Sequence, residues 1–270
     1  MILLSADLSD PLLELLRSQP TLVDALEVGP WFSLAQIQDY RRALPRLPFY
    51  FHGGDLLARV GLLPETIPPI AAYIAASGSP WVSMHLGLWP PGSLWLMYHR
   101  HIRPPLPDPQ AAARRLAWQA KRLAHSTAVP LLLENVEPKP FPGCEFEVQA
   151  RLITQLLETI DCGFLLDTGH ARVAASALSM DVREYVSCLP LDRVQQVHVS
   201  GPRPRDGRLF DAHEPLQPED YALLEYLLDR TLPTLVTLEY IRQPQALYEQ
   251  LIRLRNILAS RSSGCATGSH

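Results

Sequence analysis

Short apolar runs alternate along the chain with longer amphipathic stretches of helical length. Eight apolar runs have the length and composition of strands: MILLSAD, VDALEVG, PFYFHG, WVSMHLG, VPLLLENV, CGFLLDTG, VQQVHVSG and LVTLEY. Helical periodicity is found between or after them, as in PDPQAAARRLAWQAKRLAHS, FEVQARLITQLLETID, PEDYALLEYLLDR and PQALYEQLIRLRNILA. Because repeated strand and helix units form parallel sheets, eight such units predict an α/β fold, the (β/α)8 TIM barrel.

The pattern continues without a shift in composition, so it predicts a single TIM-barrel domain over residues 1–258. Residues 259–270 are small and polar, and we expect them to form a disordered C-terminal tail. The chain has 26 prolines, and many of them cluster in two connections, residues 88–109 and 201–218. For these two connections we expect long, ordered loops.

Composition narrows the possible functions. The chain has 270 residues, 47% of them hydrophobic, yet no apolar run approaches the roughly 20 residues that span a bilayer. Acidic residues stand in the N-terminal stretch where a signal peptide carries basic ones, so we expect a cytoplasmic protein without membrane association. The four cysteines show no paired spacing, which disfavours a disulfide framework and a thiolate zinc site. A net charge of -4 disfavours nucleic acid as a partner.

Residues that can bind a metal stand where six of the eight apolar runs end. In a TIM barrel the carboxyl ends of the strands and the loops after them build the active site. Three more such residues follow within the next loops. The complete set of candidate ligands is His52, His85, Glu134, Asp167, His170, His198, Asp211, His213 and Glu239. Glu27, near the end of the second run, is a candidate for orienting a metal-bound histidine.

Each candidate has an alternative explanation when taken alone. A single buried histidine is commonly a hydrogen-bonded core residue, a buried glutamate is often half of an ion pair, and loop charges are usually solvated. Taken together, however, several carboxylates at one barrel mouth repel each other unless cations neutralise them. The joint pattern therefore predicts a metal site. Imidazole and carboxylate ligands suit iron, zinc or manganese and do not distinguish among them.

The order of these residues resembles the xylose isomerase-like superfamily of metal-dependent TIM barrels, which includes endonuclease IV. A closer resemblance runs through CGFLLDTGHARVAA, YVSCLPLDRVQQVHVSG, DAHEPLQPEDYALLEYLL and PTLVTLEY, and takes in ALEVGP, FHGG and SMHLG. In these segments the chain resembles the multinuclear non-haem iron-dependent oxidative enzymes, the MNIO family. Two departures concern the site: many members have Asn where His170 stands, and the turn after Glu134, ENVEPKP, differs.

The MNIO resemblance implies two or three divalent metal ions, with iron favoured and zinc or manganese as alternatives. It divides the ligands into three sets: His52, His85 and Glu134; then Asp167, His198 and Glu239, with Glu134 as a bridge; then His170, Asp211 and His213. Glu134 and Glu239 are also the expected catalytic residues. The implied activity is oxidative modification of a cysteine-containing peptide, with or without a partner protein that presents this substrate.

Three other functions stay open at this point. The chain is alternatively a zinc- or manganese-dependent hydrolase of the endonuclease IV kind, or a sugar isomerase or epimerase that acts on a small molecule. A non-catalytic, metal-binding scaffold barrel is the third alternative. The acidic charge balance counts against a nucleic-acid hydrolase, and the related isomerase barrels usually need fewer histidines than this chain offers.

Weaker signals concern the substrate. Arg172, Arg203, Arg205 and Arg208 lie beside the ligand-bearing segments and are candidates for binding a carboxylate or phosphate, although solvated arginines are an equal alternative. Trp89, with Trp95 and Tyr98, is a candidate apolar wall over the metals. The alternative for these aromatic residues is packing of their long loop against the barrel rim.

Overall fold

The computed structural model describes residues 1–61, 66–89, 91–100, 102, 105–139, 141 and 143–264. The strands in this part of the chain are β1 (Leu3–Asp7), β2 (Ala25–Val28), β3 (Phe49–His52), β4 (Val82–His85), β5 (Leu131–Glu134), β6 (Gly163–Asp167), β7 (Val194–Val199), β8 (Gly201–Arg205), β9 (Arg208–Glu214) and β10 (Leu235–Leu238). The α-helices are α1 (Asp10–Ser18), α2 (Leu34–Ala43), α3 (Ile67–Ser77), α4 (Pro91–Arg100), α5 (Pro109–Ser126), α6 (Ala150–Ile160), α7 (Thr168–Ala177), α8 (Val182–Ser187), α9 (Pro218–Leu228) and α10 (Pro244–Gly264).

Eight parallel strands close into a barrel in the order β1-β10-β7-β6-β5-β4-β3-β2. Each lies within one of the eight apolar runs of the sequence, so the predicted TIM barrel is confirmed. The strand register places candidate ligands opposite each other on neighbouring strands: His85 pairs with Glu134, and Asp167 pairs with His198. Both pairs therefore lie near the carboxyl-terminal mouth of the barrel.

The barrel interior beneath the ligands contains an apolar cluster beside buried polar side chains such as Gln196 and Thr237. Tyr50, Leu132 and Leu165 lie two positions before His52, Glu134 and Asp167. Because side chains two apart on a strand share a face, the apolar residues point inward beneath the polar ones. They form a buried cluster with Ala25, Trp81 and Leu235, whereas the larger core fills the space between the barrel and its helices.

The two proline-rich connections contain regular structure where we expected ordered loops. Helix α4 lies in the first, of which residues 90, 101, 103 and 104 are outside the described part. The second forms an antiparallel hairpin of β8 and β9. Its turn uses Asp206 and Gly207, whose φ angles are 51° and 76°. Strand β9 carries Asp211 and His213, so the hairpin brings these two side chains back to the barrel mouth.

The last helix extends further than the sequence pattern predicts. Helix α10 ends at Gly264 and thus includes residues 259–264, which we expected in a disordered tail. The rest of that predicted tail lies outside the described residues, and the single-domain assignment stays a prediction. Among the described helices, none combines the length and apolar character needed to cross a membrane.

Candidate metal centre

Six of the nine candidate ligands converge because they lie near the ends of parallel strands of one closed barrel or directly follow one. His52, His85 and Glu134 are the last residues of β3, β4 and β5. His52 and His85 direct their Nε2 atoms at each other at 3.3 Å, and each Nε2 lies 3.5 Å from Glu134 Oε2. Ligand atoms about 2.1 Å from one tetrahedral ion are about 3.4 Å apart. The three atoms therefore have the spacing of a metal site.

The opposite nitrogen of each of these two imidazoles is held by a side chain. His52 Nδ1 lies 3.0 Å from Ser83 Oγ, and His85 Nδ1 lies 3.0 Å from Asp55 Oδ1. Since a hydrogen bond at one ring nitrogen fixes the orientation of the other, these contacts direct both Nε2 atoms toward Glu134.

A second set of ligand atoms lies on the other side of Glu134. His198 Nδ1 is 3.6 Å from Glu134 Oε1 and 2.9 Å from Glu239 Oε1. Ligand atoms of Glu134, Asp167 and His198 lie within 4.8 Å of one another, as do those of Glu27, His198 and Glu239. His198 of the second predicted set is thus close both to Asp167 and to Glu239, and Glu27 adjoins it.

Asp167 explains why the apolar run CGFLLDTGH ends as it does. The carboxylate caps α7, because Oδ1 accepts a hydrogen bond of 2.5 Å from the backbone N–H of His170. Asn135 pairs with the backbone of Asp167 through two hydrogen bonds of 2.9 and 3.0 Å. Asp167 Oδ2 is buried and makes no hydrogen bond. One oxygen of this residue therefore starts a helix while the other is available to a cation.

The third predicted set is looser. Asp211 Oδ2 lies 2.6 Å from His213 Nε2 and 3.5 Å from His170 Nε2. The His213 side chain is 44% exposed, whereas that of His170 is 10% exposed. His213 also has a φ angle of 46°, in the left-handed region that costs a non-glycine residue of the order of 1 kcal/mol. The structure brings the three side chains together, with His213 at the solvent edge.

Asp211 is held in place by a close approach of two chain segments. Ser200 Oγ donates a hydrogen bond of 2.7 Å to Asp211 Oδ1. A Cβ atom on Gly169 would lie 2.0 Å from Ser200 Oγ, so only glycine allows this approach at the start of α7.

The protonation states follow from burial and mutual charge. Burial opposes ionisation of Glu134, yet His85, His52 and His198 together hold its pKa well below the ordinary value. Burial and then the charge of Glu239 raise the pKa of Asp7 well above its ordinary value. Burial lowers the pKa of His198, but the neighbouring carboxylates outweigh it and raise that pKa well above the usual range.

The residues present fit a group of metal ions. Both oxygens of Glu134, Oδ2 of Asp167 and Nδ1 of His198 are buried and make no hydrogen bond. Each such unpaired group costs about 1–3 kcal/mol, and more when charged. Cations coordinated by these atoms would satisfy them, and the mixture of nitrogen and oxygen donors suits iron, manganese or zinc.

A pocket of about 340 Å³ opens above the ligands. Its lining includes His52, His85, His170, His213 and Glu239, and its wall and rim include Asp7, Pro30, Trp31, Leu56 and Arg59. Sequence reasoning missed Asp7 and Asp55. Asp7 had a signal, because it ends the first apolar run, whereas Asp55 lies in a 3-10 helix with no comparable pattern.

The weaker substrate candidates have other contacts. Arg172 pairs with the buried Asp220, and Arg203 donates to the backbone carbonyls of Pro202 and Pro215. Arg205 extends from the hairpin near Asp206. Trp89 is buried against Met97 and Cys144. Arg208 is exposed, and Trp95 is 49% exposed. The side chain of Tyr98 is outside the described part. None of Arg172, Arg203, Arg205 and Trp89 lines the pocket above the ligands, so their assignment to substrate binding stays a prediction.

The closed barrel and the buried imidazole and carboxylate cluster at its mouth define a TIM barrel with a candidate metal site. The chain belongs to the family described as RiPP precursor modification enzyme MbnB/TglH/ChrH, whose model matches residues 12–259. This confirms the MNIO resemblance.

The chain is also similar to curated proteins and to solved structures. A UPF0276 protein of Shewanella amazonensis is 26% identical over 260 residues, covering 92% of this chain and 91% of the relative. A UPF0276 protein of Pseudomonas aeruginosa is 28% identical and covers 90% and 86%. Among solved structures, a D-tagatose 3-epimerase-like protein has a TM-score of 0.63 at 17% identity, covering 98% of this chain and 100% of that one. The 3-keto-D-glucoside 4-epimerase YcjR from E. coli has a TM-score of 0.62 at 15% identity, covering 95% and 100%. At these identities the two structures show the shared fold.

Proposed function

We propose that this protein is a multinuclear, iron-dependent oxidative enzyme that modifies a cysteine-containing peptide. Membership in a family described by precursor-peptide modification supports the substrate class. The observation that carries the proposal is the position of Glu134. Its Oε2 faces the Nε2 atoms of His52 and His85, while its Oε1 faces Nδ1 of His198. A carboxylate in this position is suited to bridging two metal ions.

The side chains have distinct tasks in this proposal. Bound iron supplies one-electron chemistry with dioxygen, which no side chain of this protein provides. His52, His85 and His198 hold the ions, and Glu134 keeps the two positions close together. Glu239 has its Oε1 at His198 and lines the pocket, so it contacts both the ligand cluster and the space for a substrate. Trp31, which is 59% exposed at the pocket, is placed to contact a bound peptide.

Metal analysis separates the alternatives. Protein purified without oxygen is expected to contain two or three irons per chain, measured by elemental analysis. Stoichiometric zinc or manganese in place of iron would contradict the oxidative proposal and favour the hydrolase or the isomerase. Less than one metal per chain would overturn the metal-dependent function altogether.

Substrate turnover tests the proposed modification of a cysteine-containing peptide. Iron-loaded protein is incubated with dioxygen and a peptide library that pairs each cysteine-containing peptide with a matched serine peptide. Mass changes are measured by mass spectrometry. We expect changes confined to cysteine-containing members and absent in the Glu134→Gln variant. Equal modification by that variant, or modification of matched serine peptides, would contradict the proposal.

A further inference from the structure

We propose that Glu27 is a positioning residue that fixes His198 as an Nδ1 ligand. It thereby strengthens metal binding at His198 relative to metal binding at His52 and His85. This inference rests on the proposed function only in requiring that the cluster binds metal. Glu27 lies in β2, is 1% exposed and has its carboxylate directly beside the His198 ring. His198 Nε2 is 3.0 Å from Glu27 Oε1 and 3.2 Å from Oε2.

A buried chain of hydrogen bonds orients Glu27. The amide nitrogen of Gln196 donates to Glu27 Oε2 at 2.6 Å and to Thr237 Oγ1 at 3.1 Å. The amide oxygen of Gln196 accepts from Trp81 Nε1 at 2.9 Å, which fixes the direction of the amide. Although this nitrogen also lies 2.9 Å from His198 Nε2, both of its hydrogens have acceptors. Glu27 is therefore the acceptor for the Nε2–H of His198.

This hydrogen bond decides which ring nitrogen faces the cluster. With the proton on Nε2, the lone pair of Nδ1 points toward Glu134 and Glu239. Nδ1 is buried, makes no hydrogen bond and is one of the atoms that a cation would satisfy. His52 and His85 have the reverse arrangement, with Nδ1 held and Nε2 facing Glu134.

The groups that hold the three imidazoles differ in strength. His52 is held by the neutral hydroxyl of Ser83, and His85 by Asp55, whose side chain is 57% exposed. His198 is held by a carboxylate that is 1% exposed. A charge-assisted hydrogen bond is stronger in a low-dielectric interior, and it raises the basicity of the ring that donates it. His198 is therefore the strongest imidazole donor of the three.

The Glu27→Gln variant tests this inference through metal binding rather than turnover. Metal-free protein is titrated with Co²⁺ against a chelator, and the visible spectrum is recorded for each equivalent. We expect the affinity for the Co²⁺ equivalent at His198 to fall about 10–100-fold, with a shift in the visible spectrum of that equivalent. The Co²⁺ equivalent at His52 and His85 is expected to keep its affinity. Glu147→Gln is the matched control, because Glu147 is also a 1% exposed glutamate and lies in the connection after β5, outside the ligand cluster.

Unchanged affinities and spectra in Glu27→Gln would overturn the inference, as would equal weakening of every equivalent. Complete loss of one equivalent at saturating Co²⁺ would also overturn it, because Glu27 would then be a ligand itself. Trp81→Phe removes the N–H bond to Gln196 together with part of the ring that packs on Tyr50, and it is expected to weaken the same Co²⁺ equivalent by a smaller factor. It decides the question if Glu27→Gln does not fold. Failure of the wild-type protein to bind Co²⁺ would instead overturn the proposed function.

Discussion

Two groups of candidate ligands differ in what holds them. The inner group, His52, His85, Glu134, Asp167, His198 and Glu239, lies on barrel strands or directly after one. The outer group, His170, Asp211 and His213, lies on α7 and on the β8–β9 hairpin. Glu134 and His198 have side chains that are 1% and 0% exposed, whereas that of His213 is 44% exposed. A closed barrel leaves its strands little freedom, while a two-stranded hairpin depends on its neighbours.

The hairpin is tied to the barrel rim by a few side-chain contacts. The backbone N–H of Asp211 lies 3.4 Å from Glu137 Oε2. Arg242, which follows β10, pairs with Glu214 and donates a hydrogen bond of 2.9 Å to the carbonyl of Ala212. These contacts are partly exposed, so the comparison teaches that the inner group is preorganised and that the outer group binds its ion less firmly.

The largest expected effect is that of Glu134→Gln, which removes the proposed bridge. We expect both inner metal equivalents to be lost and activity to fall by more than about 100-fold, beyond the loss seen when a supporting residue is changed. Glutamine fills the same volume, so circular dichroism is expected to show a folded barrel. Retention of both equivalents contradicts the bridge, and broad unfolding favours the scaffold alternative. Glu147→Gln, in the connection after β5, is expected to change neither metal content nor activity.

A smaller effect is expected for Asp211→Asn, which acts on the outer group alone. The asparagine side chain is neutral but still accepts a hydrogen bond from Ser200, so the hairpin is expected to keep its place. Metal titration should show one weakened equivalent, with the inner equivalents unchanged. Asp206→Asn, at the exposed hairpin turn, is the control. Loss of an inner equivalent in Asp211→Asn would show that the two groups are not separable.

The outer group should also show a graded dependence on pH, without any change in the sequence. Partial burial opposes protonation of His213, but its bond to Asp211 and the charge of Glu239 outweigh this and raise its pKa to about 10. A proton and a metal compete for this ring and also for the ring of His170, whose pKa is likewise raised by Asp167 and Asp211 against the effect of burial. Outer-group affinity should therefore rise at least about tenfold per pH unit from pH 7 to 9 and level off above pH 10.

The linked effect on stability has the opposite sign. In metal-free protein, protonated His213 contributes stability that is fully present below about pH 6.5 and is lost as the pH rises through about 10. Chelator titrations and urea unfolding at several pH values measure both trends. A pH-independent outer equivalent in the wild-type protein contradicts the assignment of His213 as its ligand.

The inner group was predictable from sequence because each of its residues ends an apolar run, and runs of that kind have a fixed place in a barrel. The hairpin was not, because its prolines and turn residues indicate a loop equally well. The pairing of Arg172 could not be predicted, because its partner, Asp220, is 48 residues away and the packing of α7 near α9 brings them together. Asp55 and Gln196 had no pattern of their own, since their roles arise from contacts across the barrel.

Asp167 links the folding of the chain to the loading of its ions. Its Oδ1 is engaged at the first turn of α7, so its Oδ2 is already oriented before any ion arrives. An ion that enters the mouth meets a carboxylate whose rotamer is set, and little entropy is lost on capture. Uptake should therefore be limited by the shedding of water from the ion and not by rearrangement of the polypeptide.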